Sequence, residues 1–198
     1  MKNKNLLIAG AVIVVLIFGA YRFFVGNYNS IVAYDEAVEA SWAQVQNQYQ
    51  RRLDLIPNLV ATVKGYATHE HDTFVQVTQA RAAAEGVAGA GVPKNAQEME
   101  SVQAAQNSLT MGVRSLLAVA ENYPELKANQ NFLALQDQLE GTENRIAVAR
   151  QDYNKAVQKY NTFIRTFPQS VIASRRGFEK RPQFAASQEA QSAPKVEF

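Results

Sequence analysis

Cysteine is absent from the chain, which excludes disulfides, thiolate metal sites and cysteine nucleophiles in one step. That absence is compatible with the periplasm or the cell exterior. Histidine is scarce as well, with 2 residues in all, both inside Thr68-His69-Glu70-His71. A zinc site there would have to be completed by carboxylates. Residues two apart on a helix point about 200° from each other, so the pair reads as exposed polar helix surface. No Ser-His-Asp or paired-carboxylate arrangement is visible, and the chain reads as non-enzymatic, with no catalytic residue, metal site or cofactor. Charge of one sign is also lacking. Lys and Arg number 20 against 18 Asp and Glu, a formal +2, too small a field to argue for nucleic acid. Gly86, Gly89 and Gly91 with Lys94 do not make a phosphate loop, because no strand precedes them and the lysine is not followed by Ser or Thr. The run reads as a flexible helix connection.

What is present is apolar and helical. A chain of 198 residues, 47% hydrophobic, allows one domain with appendages. Residues 1–5 are a short flank. Leu6 to Tyr21 is unbroken apolar sequence that resumes after Arg22 with Phe23-Phe24-Val25, giving a span at 6–25 of about 30 Å, enough to cross a bilayer. A secretory signal peptide is the rival reading, since Lys2 and Lys4 precede the run. Phe18-Gly19-Ala20, however, puts phenylalanine where cleavage needs a small residue, so an uncleaved anchor is expected. Tyr21, Phe23 and Phe24 form an aromatic belt with Arg22 snorkelling beside it. The amino terminus, Lys2 and Lys4 outweigh Arg22, which by the positive-inside rule leaves the N-terminus in the cytoplasm and the remainder on the outer face of the membrane.

Strand patterns are missing beyond the anchor. Apolar residues recur at Ile31, Tyr34, Val38, Trp42, Val45, Tyr49, Leu53, Ile56, Val60 and Val63 in steps of three and four, the stripe of an amphipathic helix. This first helix is expected from about Asn27 to Arg81, divided by a kink or a restart at Pro57, which cannot donate to the Leu53 carbonyl and crowds that turn. Glycine and proline end it at Gly86 to Pro93. Asn95 with Glu98 reads as a capping box opening a second helix to about Asn122, with Met99, Val102, Ala105, Leu109, Val113, Leu116 and Ala120 on one face. Tyr123-Pro124 stops it. A third helix, about Asn129 to Thr166, carries Phe132, Leu135, Leu139, Ile146, Tyr153, Val157, Tyr160 and Ile164. The fold class is therefore all-α: one transmembrane helix, then an up-and-down antiparallel bundle over residues 27–168 with gentle left-handed coiling. From Gln169 the pattern fades, and Ser187 to Pro194 holds no large apolar residue. The tail, 169–198, is accordingly read as mostly disordered.

The cluster Arg51, Arg52, Asp54, Pro57 and Asn58 stands out against this background. Arg52 lies on or near the buried stripe, where an arginine needs a carboxylate or free carbonyls. Pro57 frees the Leu53 carbonyl, Asn58 is a local polar partner, and the third helix offers Glu143, Asn144, Arg145 and Asp152. The cluster reads as a device fixing the kink at the proline and the register of the third helix; a peptide or lipid headgroup site is the other reading.

Segment 51–70, RRLDLIPNLVATVKGYATHE, followed by Thr78-Gln79-Ala80-Arg81, resembles the signature of the LemA family of bacterial membrane-anchored helical proteins. Asn27-Tyr28-Asn29, Val38 and Ser41-Trp42 upstream fit the same pattern. So do Tyr123-Pro124-Glu125-Leu126-Lys127, Asn144-Arg145-Ile146, Tyr153-Asn154, Tyr160-Asn161, Phe167-Pro168, Ala173 and Gly177-Phe178 downstream. Ser174-Arg175-Arg176 departs from it, standing where a more apolar run belongs. The resemblance implies a fold and an address at the bacterial cytoplasmic membrane rather than a reaction. It also implies relatives near membrane proteins of poorly defined role, one branch linked to membrane remodelling in magnetosome biogenesis, and an outside amino terminus, opposite to the charge count. The expected function is an interaction or assembly module that touches the bilayer through residues 6–25 and membrane proteins of unknown identity, and that forms a homo-oligomer. The alternatives are a membrane-shaping oligomer and an accessory subunit of a membrane protease.

Overall fold

The computed structural model describes residues 2–185. Six helices follow one another: α1 Lys2–Lys64, α2 His71–Ala88, α3 Ala96–Ala120, α4 Pro124–Lys127, α5 Gln130–Arg165 and α6 Gln169–Arg176. No strand occurs among the described residues. At 63 residues, α1 is about 95 Å long. From Gly10 to Gly26 it is exposed on every face, and this N-terminal part is apolar and long enough to cross a membrane. The helix passes Gly26 without interruption into the bundle.

Buried apolar positions on α1 are Ile31, Val38, Trp42, Val45, Tyr49, Leu53, Ile56, Leu59 and Val63. The stripe is the expected one except that Leu59 replaces Val60, which is half-buried, and Tyr34 sits at the edge, 36% exposed. Against it runs α5, antiparallel over the whole length. Tyr34 lies 4.8 Å from Phe163 between ring centroids, Trp42 5.3 Å from Tyr153, and at the far end Asn129 Nδ2 donates to Tyr66 Oη at 2.9 Å. The α2–α3 hairpin closes the bundle mainly over its far part, and the core has two halves. One, away from the apolar segment, joins Leu53 to Val63 with Val77, Ala84, Leu109, Leu116, Leu126 and Phe132. Here α2 and α3 approach closely: a Cβ added at Gly112 would come within 3.4 Å of Val77 Cα. The other half joins Ile31 to Tyr49 with Tyr153, Val157, Tyr160 and Ile164.

Pro57 does not divide the first helix, in contrast to the expectation; α1 continues through it to Lys64. Leu53, Ile56, Leu59 and Val63 on both sides of the proline are buried in one core, so the turns before and after it pack on the same side. The Leu53 carbonyl that the proline leaves free accepts instead from Arg81 Nε at 3.3 Å. The break falls at Gly65 to Glu70, where Tyr66 and Ala67 both donate to the Val63 carbonyl, at 3.0 and 2.9 Å, and Ala67 is buried. His69 is consequently in this turn and His71 is the first residue of α2, both exposed. Asn95 caps α3, accepting from the Glu98 N–H at 2.9 Å. Glu98 returns not to the Asn95 main-chain N–H but to the Lys94 N–H, at 2.8 Å, and to the Asn95 side-chain amide, at 2.9 Å.

The boundary expected at Gln169 also moves. Gln169–Arg176 is helix, Ile172 and Ala173 are buried, and Phe184 is 6% exposed. The α2–α3 hairpin reaches the near half of the α1–α5 pair only through its connecting end, Met99 and Val102 included, and the chain after α5 covers more of it. Ser187 to Pro194 lies outside the described residues.

Candidate functional site

On α5 the pairs Tyr153-Asn154 and Tyr160-Asn161 are seven residues apart, two helical turns, so they repeat along one face. On α1, Asp35 and Trp42 have the same spacing. The tyrosines and Trp42 fill the α1–α5 seam, which leaves the asparagines at its rim. There they grip a non-helical strap, Arg181–Phe184, by its main chain. Asn161 accepts from the Arg181 N–H at 2.9 Å and donates to the Arg181 carbonyl at 2.8 Å. Asn154 does the same to Phe184, at 2.9 and 3.1 Å. Tyr153 Oη donates to the Pro182 carbonyl at 3.0 Å. Side chains of α5 thus satisfy backbone groups that neither helix nor sheet pairs.

Two side chains of the strap seat it. Arg181 forks onto the Asp35 carboxylate through Nε and Nη2, at 3.1, 3.0 and 3.2 Å, with both side chains about one-fifth exposed, the bidentate geometry that favours arginine. Phe184 stacks on Trp42 with centroids 5.9 Å apart and planes 23° from parallel, meets Tyr153 edge-on at 5.4 Å, and carries the Arg150 guanidinium 4.5 Å over its ring. Trp42 works in two directions, since its indole N–H donates to the Ala90 carbonyl at 3.3 Å and Gln46 donates to Ala88 and Ala90 at 2.8 and 2.7 Å. The glycine-rich connection is therefore pinned rather than free. Burial pushes the Tyr160 hydroxyl up to about 12, reinforced by Asp35 and opposed by Arg181. Burial likewise raises Tyr153. For Arg181 burial works against the charge, but the Asp35 carboxylate outweighs it and the net direction is up.

The five residues singled out in the sequence do not gather at one place. Arg52 alone enters the interior, 3% exposed. Its Nη1 donates to Glu143 Oε1 at 2.6 Å and Thr110 Oγ1 at 3.0 Å, and Nη2 donates to Gln106 Oε1 and, at 3.4 Å, to the Gln106 carbonyl. It ties α1 to α3 and α5 together. Arg51 is exposed, Asp54 is exposed and accepts from Gln50 at 2.8 Å, Pro57 is exposed, and Asn58 is exposed with its carbonyl accepting from Thr62 at 2.8 Å. Of the partners offered by the third helix, Glu143 is the one used. Ser174, Arg175 and Arg176, where the sequence departs from the resembling pattern, are exposed, with Arg176 5.5 Å over the Tyr28 ring. Asp35, Arg181 and Phe184 carried no role in the sequence. The Tyr-Asn repeat was the available signal, because an amide beside each buried tyrosine has no reason to recur at a helical period unless something lies along it.

The model of the LemA family matches residues 41–198, a stretch holding Trp42, both asparagines and the strap. The chain is similar to magnetosome proteins MamQ 1 and MamQ 2 of Paramagnetospirillum magneticum, each 29% identical over 177 residues, covering 80% of this chain and 64% of the relative. It is also similar to protein LemA of Metamycoplasma hominis, 22% identical over 180 residues, covering 88% of this chain and 76% of that protein. Measured against the MamQ proteins, the chain thus spans a little under two thirds of their length.

Proposed function

Because the chain belongs to the LemA family, we propose that it is a non-enzymatic, single-pass membrane-anchored helical bundle that acts as an interaction and assembly module at the bacterial cytoplasmic membrane. The observation carrying this reading is the continuity of α1, one helix from the exposed apolar segment to the far end of the bundle. Without a flexible linker, it holds the bundle at a fixed distance from the bilayer, as a scaffold needs and a freely tethered domain does not. The asparagine clips support it further, because they hold a segment of main chain by recognition rather than by chemistry. In this reading the N-terminus is cytoplasmic and the bundle faces outward.

The test uses the full chain in native membranes. Carbonate washing should leave it in the membrane pellet, and amine crosslinking should trap it in complexes larger than a monomer. A protein released by carbonate, or one recovered as a monomer at every crosslinker dose, overturns the proposal. Orientation is read by placing a thiol at exposed Ser174, since the chain has none of its own. An impermeant maleimide should label it before the inner membrane is breached.

A further inference from the structure

We propose that the groove between α1 and α5 is a peptide-binding site for a non-helical Arg-Pro-x-Phe segment, filled in cis by Arg181–Phe184 and in trans by the same segment of a second copy of this chain. The inference rests on the assembly reading above and names its contact. The receptor consists of side chains on α1 and α5: Asp35, Trp42, Arg150, Tyr153, Asn154 and Asn161. None of these contacts requires that the strap belong to the same polypeptide.

The ligand specificity follows from what each group grips. Two side-chain amides, each bonding an N–H and a C=O of one residue, read main chain three residues apart and so select a laid-out backbone over a helical one. Asp35 selects a guanidinium that forks onto both its oxygens. Trp42, Tyr153 and Arg150 form a pocket for one aromatic ring. Every copy carries both halves, so the pair is self-complementary, and exchange replaces each cis contact by an identical one in trans. The segment leaves α6 at Gly177, whose φ of 75° only glycine adopts freely, and Asp35, Tyr160 and Arg181 line a recess of ≈ 310 Å³ beside the ion pair that gives water access to it. Copies anchored by α1 in one bilayer present strap and groove at the same height, which raises their effective concentration for each other.

Single thiols separate cis from trans. Gln183 Nε2 donates to the Asn154 carbonyl at 3.0 Å, so a Gln183→Cys thiol lies within reach of one at Lys155→Cys, the next residue on α5 and exposed. A full-length chain with both substitutions, treated with a short bis-maleimide, should link within itself and serves as the positive control. Two differently tagged full-length chains, one with Lys155→Cys and one with Gln183→Cys, are then co-expressed and crosslinked in native membranes. A dimer carrying both tags is expected, and Arg181→Ala with Phe184→Ala in the Gln183→Cys copy should reduce it about tenfold or more. Two results overturn the exchange: no mixed dimer although the control links, or a mixed dimer that survives both alanines. If the thiol dimer is missing while amine crosslinking still yields complexes, assembly stands and only the exchange falls.

Discussion

Arg52 is the residue on which three helices depend. Its guanidinium is inside the bundle while Glu143, 45% exposed, keeps one side in water, so the carboxylate holds the charge without being buried with it. The arrangement is not fully satisfied: Arg52 Nε and Gln106 Nε2 are buried with no hydrogen-bond partner, and each lowers what the network contributes. Arg52→Ala removes a side chain that fills space and leaves Gln106 and Thr110 facing each other without their donor. It should cost about 2–4 kcal/mol, reaching below the usual range for breaking a buried pair because Glu143 rehydrates. Arg52→Met, which keeps the volume and removes the charge, should cost less than half as much. Denaturant melts of the full chain in detergent check both; an alanine variant as stable as the parent would mean that the network contributes nothing and that Arg52 is kept for another purpose.

At the level of elements, α1 is the helix against which α2, α3, α5 and α6 are arranged, and the tyrosines of its antiparallel partner α5 give that seam a pH signature. The Tyr160 hydroxyl is pushed up to about 12, with Tyr153 raised too and, on α1, Tyr49, each chiefly by burial. An unfolded chain gives up these protons near 10.0, before the folded one does. The stability they contribute is therefore complete below pH 10.0 and falls as pH climbs toward about 12. Ultraviolet absorbance at the phenolate band, followed with helical circular dichroism, should show the buried tyrosines ionising only as the helix signal is lost. Of the 8 tyrosines these three are the buried ones, so phenolate absorbance beyond what the other five can supply, with the helices intact, would contradict the burial. The elements themselves were largely legible beforehand: α3 and α5 begin and end within a few residues of their expected bounds, since capping asparagines and Tyr123-Pro124 are local signals. Pro57 misled because the burial of Leu53, Ile56, Leu59 and Val63 is a tertiary effect that no local signal carries. The same is true of the strap. Residues 169–185 are too polar to form a core of their own, and Phe184 has value only where Trp42 and Tyr153 leave a place for it.

At the scale of the whole molecule, the unbroken passage of α1 from lipid to bundle couples more than distance. A helix is a screw, and a face of the bundle is locked to a compass bearing around the membrane span. Each residue inserted after Gly26 turns the bundle by about 100° and lifts it by about 1.5 Å, whereas seven restore the bearing almost fully and lift it by about 10 Å. Nothing at Gly26 stands in the way, because a Cβ added there meets no atom within 4 Å. A series of one to seven inserted alanines should then leave the melting of the bundle unchanged while crosslinked complexes fall and return with a helical period. A smooth decline with length would show that neighbours sense height alone; recovery at seven would show that they sense azimuth, and that the anchor aims the bundle as a shaft aims a key.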